Sequence, residues 1–477
     1  MPATVGERPR VTPDRRTVRY TDLRVGRGTL VRLGIVAAAV IASIWAVYEY
    51  GRHYDFFDLK IYHGAVVWWV NGGNLYDFVS PGTTLGFTYP PFAALAMAPM
   101  AVLPTLVAGW ANTFVSLTAL TVLLAWLLVP IADRYGWRRW FTVALAVPLA
   151  AATEPVRETL GFGQVNLLLA LLIYADFVGL RNRAKFAGPE SDLTLPTQRL
   201  RRLWVTGALA GVGVGLATAI KLTPGLFIAY FMVTKQWRAA AVSAATAFGV
   251  TVVTFVIGGE ETVSYFTSVV TDTTRVGSVD ATANQALSGL LARLYDSPTT
   301  PTLIWLAFAM LILAVGLSRA KTAHAEGDEL TAFTLVGLTA NAVCPISWTH
   351  HMVFLIPALV ILVDTALRRR AAARALASRG LWTWGPVGIP ALAGLRHGLA
   401  ALSVYLLFVV SIWRFEHPLP KVSHYANGLF GALAENSLAL AVIALVALLP
   451  WRTGADPAFY PEPALARRAR LAPITRR

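Results

Sequence analysis

One cysteine, Cys344, stands in the whole chain, so neither a disulfide framework nor a thiolate metal site can be assembled, and redox chemistry and structural zinc are not expected. Charge is equally scarce: 14% of the 477 residues are charged, against 56% hydrophobic. A soluble domain of that length could not hide such an excess in one core, so the surplus must face lipid. Several catalytic signatures are missing too. Without GxxxxGK[ST], GxGxxG ahead of a helix, HExxH or GxSxG, nucleotide hydrolysis, zinc proteolysis and serine hydrolysis lack their parts. No DxD pair occurs in residues 50–90, so a metal-bound nucleotide sugar is not the expected donor, and no metal or other cofactor is expected. The lack of an internal repeat disfavours transporters built from repeats.

What the chain does contain is a series of apolar runs near the ~20 residues that cross a bilayer, among them 31–47, 239–257 and 436–449. The net charge of +15 does not read as nucleic-acid binding, because the basic residues form short clusters between apolar runs rather than a stripe along one helix. Clusters at 8–27, 134–139, 181–202, 235–238, 319–321, 368–379 and 452–477 fall where cytoplasmic retention of cations puts them, and hairpins between them give about twelve crossings. The expected spans are 31–49, 109–131, 140–153, 165–180, 204–218, 223–234, 239–257, 302–318, 330–344, 352–367, 397–413 and 432–450. Residues 90–104 are bounded by prolines, which cannot supply the backbone donors of an intact span, and are expected to be interfacial or re-entrant. The fold class is therefore an all-α polytopic membrane protein. A basic cytoplasmic segment at 1–30 leads through an uncleaved signal anchor into a transmembrane domain at 31–450, whose first outer loop (50–108) carries interfacial helices; a basic cytoplasmic tail follows at 451–477.

The outer loops hold the unusual chemistry. In FFDLKIYHGAVVWWV, Asp58 precedes a short helix expected at 59–70 that carries Tyr62 and His63. Two roles suit it: the N-cap of that helix, or a general base whose pKa is lifted by partial desolvation beside Phe56, Phe57 and Trp68. The TYPPF run, Thr88–Phe92, reads as architectural. EPVRETLGFGQVN brings Glu154, Arg157, Glu158, Gln164 and Asn166 to one helix boundary. Such a density of polar groups is costly at membrane depth unless it lines a wet cavity or binds a polar ligand. Lys221 interrupts an apolar hairpin, where a cation either snorkels to the interface or meets a phosphate. In SWTHH, His350 and His351 stand beside Trp348. Helical neighbours point about 100° apart, so hydrogen bonds to a phosphate and a sugar suit the pair better than a two-histidine metal site. Asn284 and Gln285 offer amides to sugar hydroxyls or to backbone groups.

Taken in order, DLKIY, LGFTYPPFAAL, EPVRETLGFGQVNLLL, IKLTP, NQAL and PISWTHH resemble glycosyltransferase family 87, the actinobacterial polyprenyl-phosphate-mannose-dependent α-(1→2)-mannosyltransferases, over residues 30–450. The resemblance implies a GT-C fold with short outer juxtamembrane helices and polyprenyl-phosphate-mannose as donor. It implies a mannosylated glycolipid acceptor, either phosphatidylinositol mannosides or lipomannan and lipoarabinomannan. It places the protein in the plasma membrane with its active site facing the periplasm, in agreement with the cytoplasmic termini read from the charge clusters. By the same resemblance Asp58 is the catalytic base, and Lys221, His350 and His351 hold the donor phosphate and support its departure. The remaining candidates for contact with substrate are Tyr62, Glu154, Arg157, Gln164, Asn166, Asn284, Gln285 and Trp348.

The chain departs from the family pattern in having NQALSG where members often carry NQSWRG, and Met352 where Trp is common, which leaves the acceptor preference open. Two other activities stay open: transfer of another polyprenyl-phosphate sugar such as arabinose, and transport of a lipid-linked sugar. Transport would need polar groups along a path through both leaflets rather than at one face.

Overall fold

The computed structural model describes residues 26–52, 54–186, 199–272, 275–380, 392–410, 412, 423–426 and 428–458. Most of the expected basic N-terminal segment and tail, part of the basic cluster at 181–202 and part of the span expected at 397–413 lie outside the described residues. The first helices are α1 (Arg27–Tyr50), α2 (Phe57–Val70), α3 (Pro91–Met97), α4 (Thr105–Arg134), α5 (Arg139–Ala151), α6 (Glu154–Phe162), α7 (Asn166–Phe186), α8 (Arg199–Val205), α9 (Val212–Ile220) and α10 (Leu226–Val233). There follow α11 (Trp237–Ile257), α12 (Gly259–Thr267), α13 (Leu287–Leu294), α14 (Thr302–Ala325), α15 (Glu329–Val343), α16 (Leu355–Ser378), α17 (Leu395–Val409), α18 (Gly428–Glu435) and α19 (Ser437–Leu448).

Among the described residues α1, α4, α11 and α14 are each long and apolar enough to cross a bilayer; the bent pairs α6–α7 (118°) and α18–α19 (59°) raise the number to six if each is one span. Length and composition thus support fewer full crossings than the charge clusters suggest. Shorter apolar helices, α5, α15 and α17 among them, occupy other expected positions. The outward faces are apolar: Ile41, Ile44, Phe248, Val256, Leu303 and Met310 are all more than half exposed, which suits lipid and not water. This is a membrane protein.

The hairpin expected at 204–218 and 223–234 is the clearest correction. α8 ends at Val205, Gly207 and Gly211 turn the chain with φ of 62° and 111°, and α9 and α10 are only 9 and 8 residues long. At about 1.5 Å per residue neither spans hydrocarbon about 30 Å thick. α9 is nonetheless firmly placed, because the Asp176 carboxylate of α7 accepts the N–H groups of Gly213 (3.1 Å) and Val214 (2.7 Å) at its start. The segment expected to be interfacial or re-entrant is α3 followed by a 3-10 turn over Ala98–Val102, too short to cross.

α4, with 30 residues and so about 45 Å long, defines two ends. Near its start Thr105 hydrogen-bonds His63 of α2 (3.3 Å); at its finish Arg134 meets Asp364 of α16 (3.0 Å). Basic residues gather at that second end in a buried clasp. Arg452, in the segment after α19, reaches Asp328 (2.7 Å), Asp364 (2.8 Å) and Asp456 (3.1 Å), while Arg368 and Arg181 close on Asp364 and Asp456. Asp328 also caps α15, accepting the Thr331 N–H at 3.2 Å. Between the two ends Phe333 of α15 packs its ring against Tyr174, Phe177, Phe227, Tyr230 and Phe231, at centroid distances of 5.3 to 6.2 Å, and so joins α7, α10 and α15.

Candidate active site

α2 starts from strained backbone. Asp55 and Phe56 hold φ of 45° and 52°, a left-handed conformation that costs non-glycine residues about 1–3 kcal/mol each. Phe56 is kept there by its N–H bond to Gly161 O (3.0 Å) and by its ring lying edge-on to Trp110 (5.6 Å). Phe56 is the N-cap, and no side chain caps the helix, so the capping role expected for Asp58 is corrected. The helix begins two residues earlier than expected, which puts Asp58 in its first turn with the carboxylate turned towards Gln164 (Oδ2 to Nε2, 2.7 Å).

Gln164 reaches that position because α6 stops at Gly163. Its φ of +75° is left-handed, and a Cβ there would stand 2.5 Å from the Cβ of Leu59. The Gln164 amide then ties two elements together: Nε2 also donates to the Tyr62 hydroxyl (2.8 Å), Oε1 accepts from the Tyr89 hydroxyl (2.9 Å), and the two phenols bond each other (3.0 Å). Gly163→Ala is expected to destabilise the fold by roughly 2 kcal/mol, seen as a lower midpoint of thermal unfolding in detergent.

Lys221 sits at the break between α9 and α10. Its backbone is extended (φ −150°, ψ 125°), and Pro224 opens the 3-10 turn that follows. The ammonium lies 2.8 Å from His351 Nε2, 3.4 Å from Asn166 Oδ1 and 5.2 Å from the centre of the Tyr89 ring. His351 comes from a 3-10 turn, Thr349–His351, and its Nδ1 receives the Trp348 N–H at 3.2 Å. That bond leaves the ring proton on Nε2, so a charged Lys221 donates to Nε2 only when the Trp348 contact gives way. His350 packs its ring against Phe162 (5.5 Å), and its carbonyl accepts from Thr159 (3.2 Å). Thr349 donates to the buried Glu158 carboxylate.

These side chains open into one cavity of about 840 Å³. Asp58, Tyr62, Tyr89, Gln164 and Glu158 form one part of its wall, and Lys221, His350 and His351 another. Leu226 of α10, Leu313 of α14 and Val343 of α15 make an apolar side towards the transmembrane helices. Burial dominates the electrostatics. It lifts the Asp58 carboxyl to about 6, against the Gln164 hydrogen bond and the Lys221 charge, which pull it down. It lowers Lys221 to about 8, with Cys344 and Asp58 acting in the opposite sense. Both histidines are pushed well below their ordinary value by burial first and then by Lys221, so they stay neutral at pH 7.

The expected substrate-contact residues divide. Tyr62, Gln164 and Trp348 line the cavity. Glu154 and Arg157 pair with each other (3.5 Å) behind it, and Arg157 donates to the carbonyls of Ala152 (2.9 Å) and Val409 (2.7 Å), so both hold α6 in place instead. Asn166 faces a smaller chamber behind Lys221. Asn284 and Gln285 are also corrected. Asn284 accepts the Ser347 N–H (3.0 Å) and donates to Val279 O (2.8 Å), while Gln285 donates to Thr282 O and Glu435 O (both 2.7 Å). Engaged in this way, the Asn284 amide braces the SWTHH segment and the Gln285 amide ties its loop to Glu435, and neither is directed at a sugar hydroxyl. Glu158, singled out in the same polar segment but not among the expected substrate contacts, lines the cavity as well, and so do three residues that the sequence does not mark as site residues: Tyr89, in the run read as architectural, Arg52 and Arg275. The charge of the two arginines, in loops between apolar runs, is the available signal.

The polar groups of the clasp, at the far end of α4, are matched to one another and lie outside the cavity wall.

The model of glycosyltransferase family 87 matches residues 87–347. A polyprenol-phosphate-mannose-dependent alpha-(1-2)-phosphatidylinositol mannoside mannosyltransferase of Mycolicibacterium smegmatis is 31% identical over 355 residues, covering 69% of this chain and 75% of its own. A phosphatidylinositol pentamannoside mannosyltransferase of the same dependence and linkage, from the same organism, is 30% identical over 358 residues, covering 73% and 78%. Among solved structures, ArnT from Cupriavidus metallidurans bound to undecaprenyl phosphate is 14% identical, with a TM-score of 0.34 over 88% of this chain and 76% of that one.

Proposed function

We propose, because this chain belongs to glycosyltransferase family 87 and is a glycosyltransferase, that it is an inverting α-(1→2)-mannosyltransferase of GT-C type. Its donor is polyprenyl-phosphate-mannose and its acceptor a glycolipid of the phosphatidylinositol mannoside or lipomannan class. The observation that carries this reading is one cavity wall with a carboxylate raised to about 6 and, elsewhere on the same wall, a lysine joined to a neutral histidine. In this reading an acceptor hydroxyl attacks the anomeric carbon of a β-linked mannosyl phosphate. Asp58 takes the hydroxyl proton as the new C–O bond forms, and the bond from the anomeric carbon to the phosphate oxygen breaks with inversion, giving an α-mannoside. Phosphate leaves as a weakly basic anion, so Lys221 and His351 need only stabilise its charge, not fully protonate it. The apolar side at Leu226, Leu313 and Val343 suits the polyprenyl chain, and the site faces the periplasm of the plasma membrane while the clasp faces the cytoplasm.

The test is transfer of labelled mannose by purified protein from polyprenyl-phosphate-mannose to a phosphatidylinositol mannoside or a lipomannan. Transfer that yields an α-(1→2) linkage supports the reading, and an intact donor with both acceptors overturns it. The pH profile follows from the two shifted groups. Asp58 must be ionised, so kcat/KM falls below about pH 6, and Lys221 must carry its proton, so it falls again above about pH 8. Gln164→Leu removes the hydrogen bond that favours the ionised carboxylate, so the acid limb should move to higher pH, measured as kcat/KM from pH 5 to 9.

A further inference from the structure

Behind Lys221 and His351 lies a second, separate chamber of about 40 Å³ between α7, α15 and the 3-10 turn at Thr223–Gly225. Lys221, Thr223, Ala340, Cys344 and His351 form the partition, since each borders both spaces. Two asparagines face the chamber and are 4% (Asn166) and 5% (Asn341) exposed. Each has half of its amide engaged: Asn166 Oδ1 lies 3.4 Å from the Lys221 ammonium, and Asn341 Nδ2 donates to His351 O (3.1 Å) and, more weakly, to Ser347 Oγ (3.4 Å). The other halves, Asn166 Nδ2 and Asn341 Oδ1, have no hydrogen-bond partner among the described residues. One is a donor and the other an acceptor, and buried polar groups of this kind are rarely left unmatched.

We infer that the chamber is a binding site for one ordered water, which accepts from Asn166 Nδ2, donates to Asn341 Oδ1 and accepts from the Lys221 ammonium. On this assignment Asn341 is a positioning residue for the Lys221–His351 pair. The volume holds one water or at most two, and is far too small for a sugar ring. The neighbouring ammonium disfavours a metal cation. Three hydrogen bonds are the usual complement of a buried water. Asn341 fixes the pair from two sides, through the His351 carbonyl and through the water behind Lys221. One ammonium proton is thereby directed to the water and one to Asn166 Oδ1, which leaves the third for the main cavity. The water supplies solvation that burial otherwise removes, so it helps Lys221 keep its proton. The positioning role rests on the reading of Lys221 and His351 as the phosphate-holding pair; the water site does not.

Two measurements on the full-length protein in detergent or nanodiscs test this. The first is an experimental map at about 2 Å resolution or better. Density for a water within hydrogen-bonding distance of both Asn166 Nδ2 and Asn341 Oδ1 is the expected result, and a chamber without that density, or one filled by a rotated side chain, overturns the site whatever the enzyme transfers. The second is binding of farnesyl phosphate, a soluble polyprenyl phosphate without sugar, from pH 6 to 10. Asn341→Leu should weaken binding about tenfold at pH 8 and lower the alkaline midpoint by about one unit, because Lys221 loses its water and surrenders its proton more easily. Asn341→Asp keeps the oxygen facing the chamber and should leave that midpoint at or above the wild-type value. Asn341→Leu protein that melts like the wild type and binds with the same affinity and midpoint overturns the positioning role. Should Asn341→Leu fail to fold, the Asn341→Asp midpoint decides: a fall below wild type overturns the role. Wild-type protein that shows the water but does not bind the phosphate at any pH refutes the phosphate-holding pair, and with it the positioning role, while the water site stands.

Discussion

Asp58→Asn should lower mannosyl transfer by about 10²- to 10⁴-fold at neutral pH while donor affinity stays within a few-fold of wild type. The amide is nearly isosteric and still offers an oxygen to Gln164 Nε2, so the network of Gln164, Tyr62 and Tyr89 survives and the loss reports the missing base rather than a collapsed site. Single-turnover transfer and equilibrium donor binding, measured on the same preparation, separate the two. Full activity in the variant would take the base away from Asp58. Glu158, the other carboxylate on the cavity wall, would then be the group to examine, although its bond from Thr349 already occupies one of its oxygens.

Arg452→Leu is expected to be the most damaging single change for stability, at about 3–5 kcal/mol, because it leaves the buried carboxylates of Asp328 and Asp364 facing each other without the cation that spans them. The guanidinium side chain is only 3% exposed, so water cannot take its place. The loss should appear as a lower unfolding temperature and less monodisperse protein after extraction. Arg368→Gln is the control: its partner is the same Asp364, but the arginine side chain is 30% exposed, and solvent screening holds its effect to about 1 kcal/mol or less. If Arg452→Leu melts like wild type, the clasp is not what holds the α15 and α16 ends together.

Membrane residence, helical class and family could be read from the chain because each depends on local pattern. Apolar run length reports on lipid, and the short segments DLKIY, GQVN, IKLTP and SWTHH keep their identity without their neighbours. Asp58, Tyr62, Gln164, Lys221, His350, His351 and Trp348 were all named as candidates and all border the one cavity.

Other features depended on partners far away in sequence. Whether Asn284 and Gln285 meet sugar or backbone is decided by Ser347 and Glu435, more than 60 residues distant in each case, and an isolated amide carries no mark of that choice. Glu154 and Glu158 lie four residues apart on the same face of one helix, yet only Glu158 borders the cavity, because only the C-terminal half of α6, through Glu158 and Phe162, reaches it. Charge clusters suggest how often the chain returns to one side but not whether each excursion is a full span, and the short halves α9 and α10 exist as they do because Gly207, Gly211 and Pro224 break the backbone where the apolar pattern runs on. The sequence by itself determined which solvent this protein lives in and which residue types gather between its apolar runs, since both are properties of composition and local order. Only the tertiary structure decided which of those polar groups meet each other and which are left facing a cavity, because a hydrogen bond is satisfied in space and not along the chain.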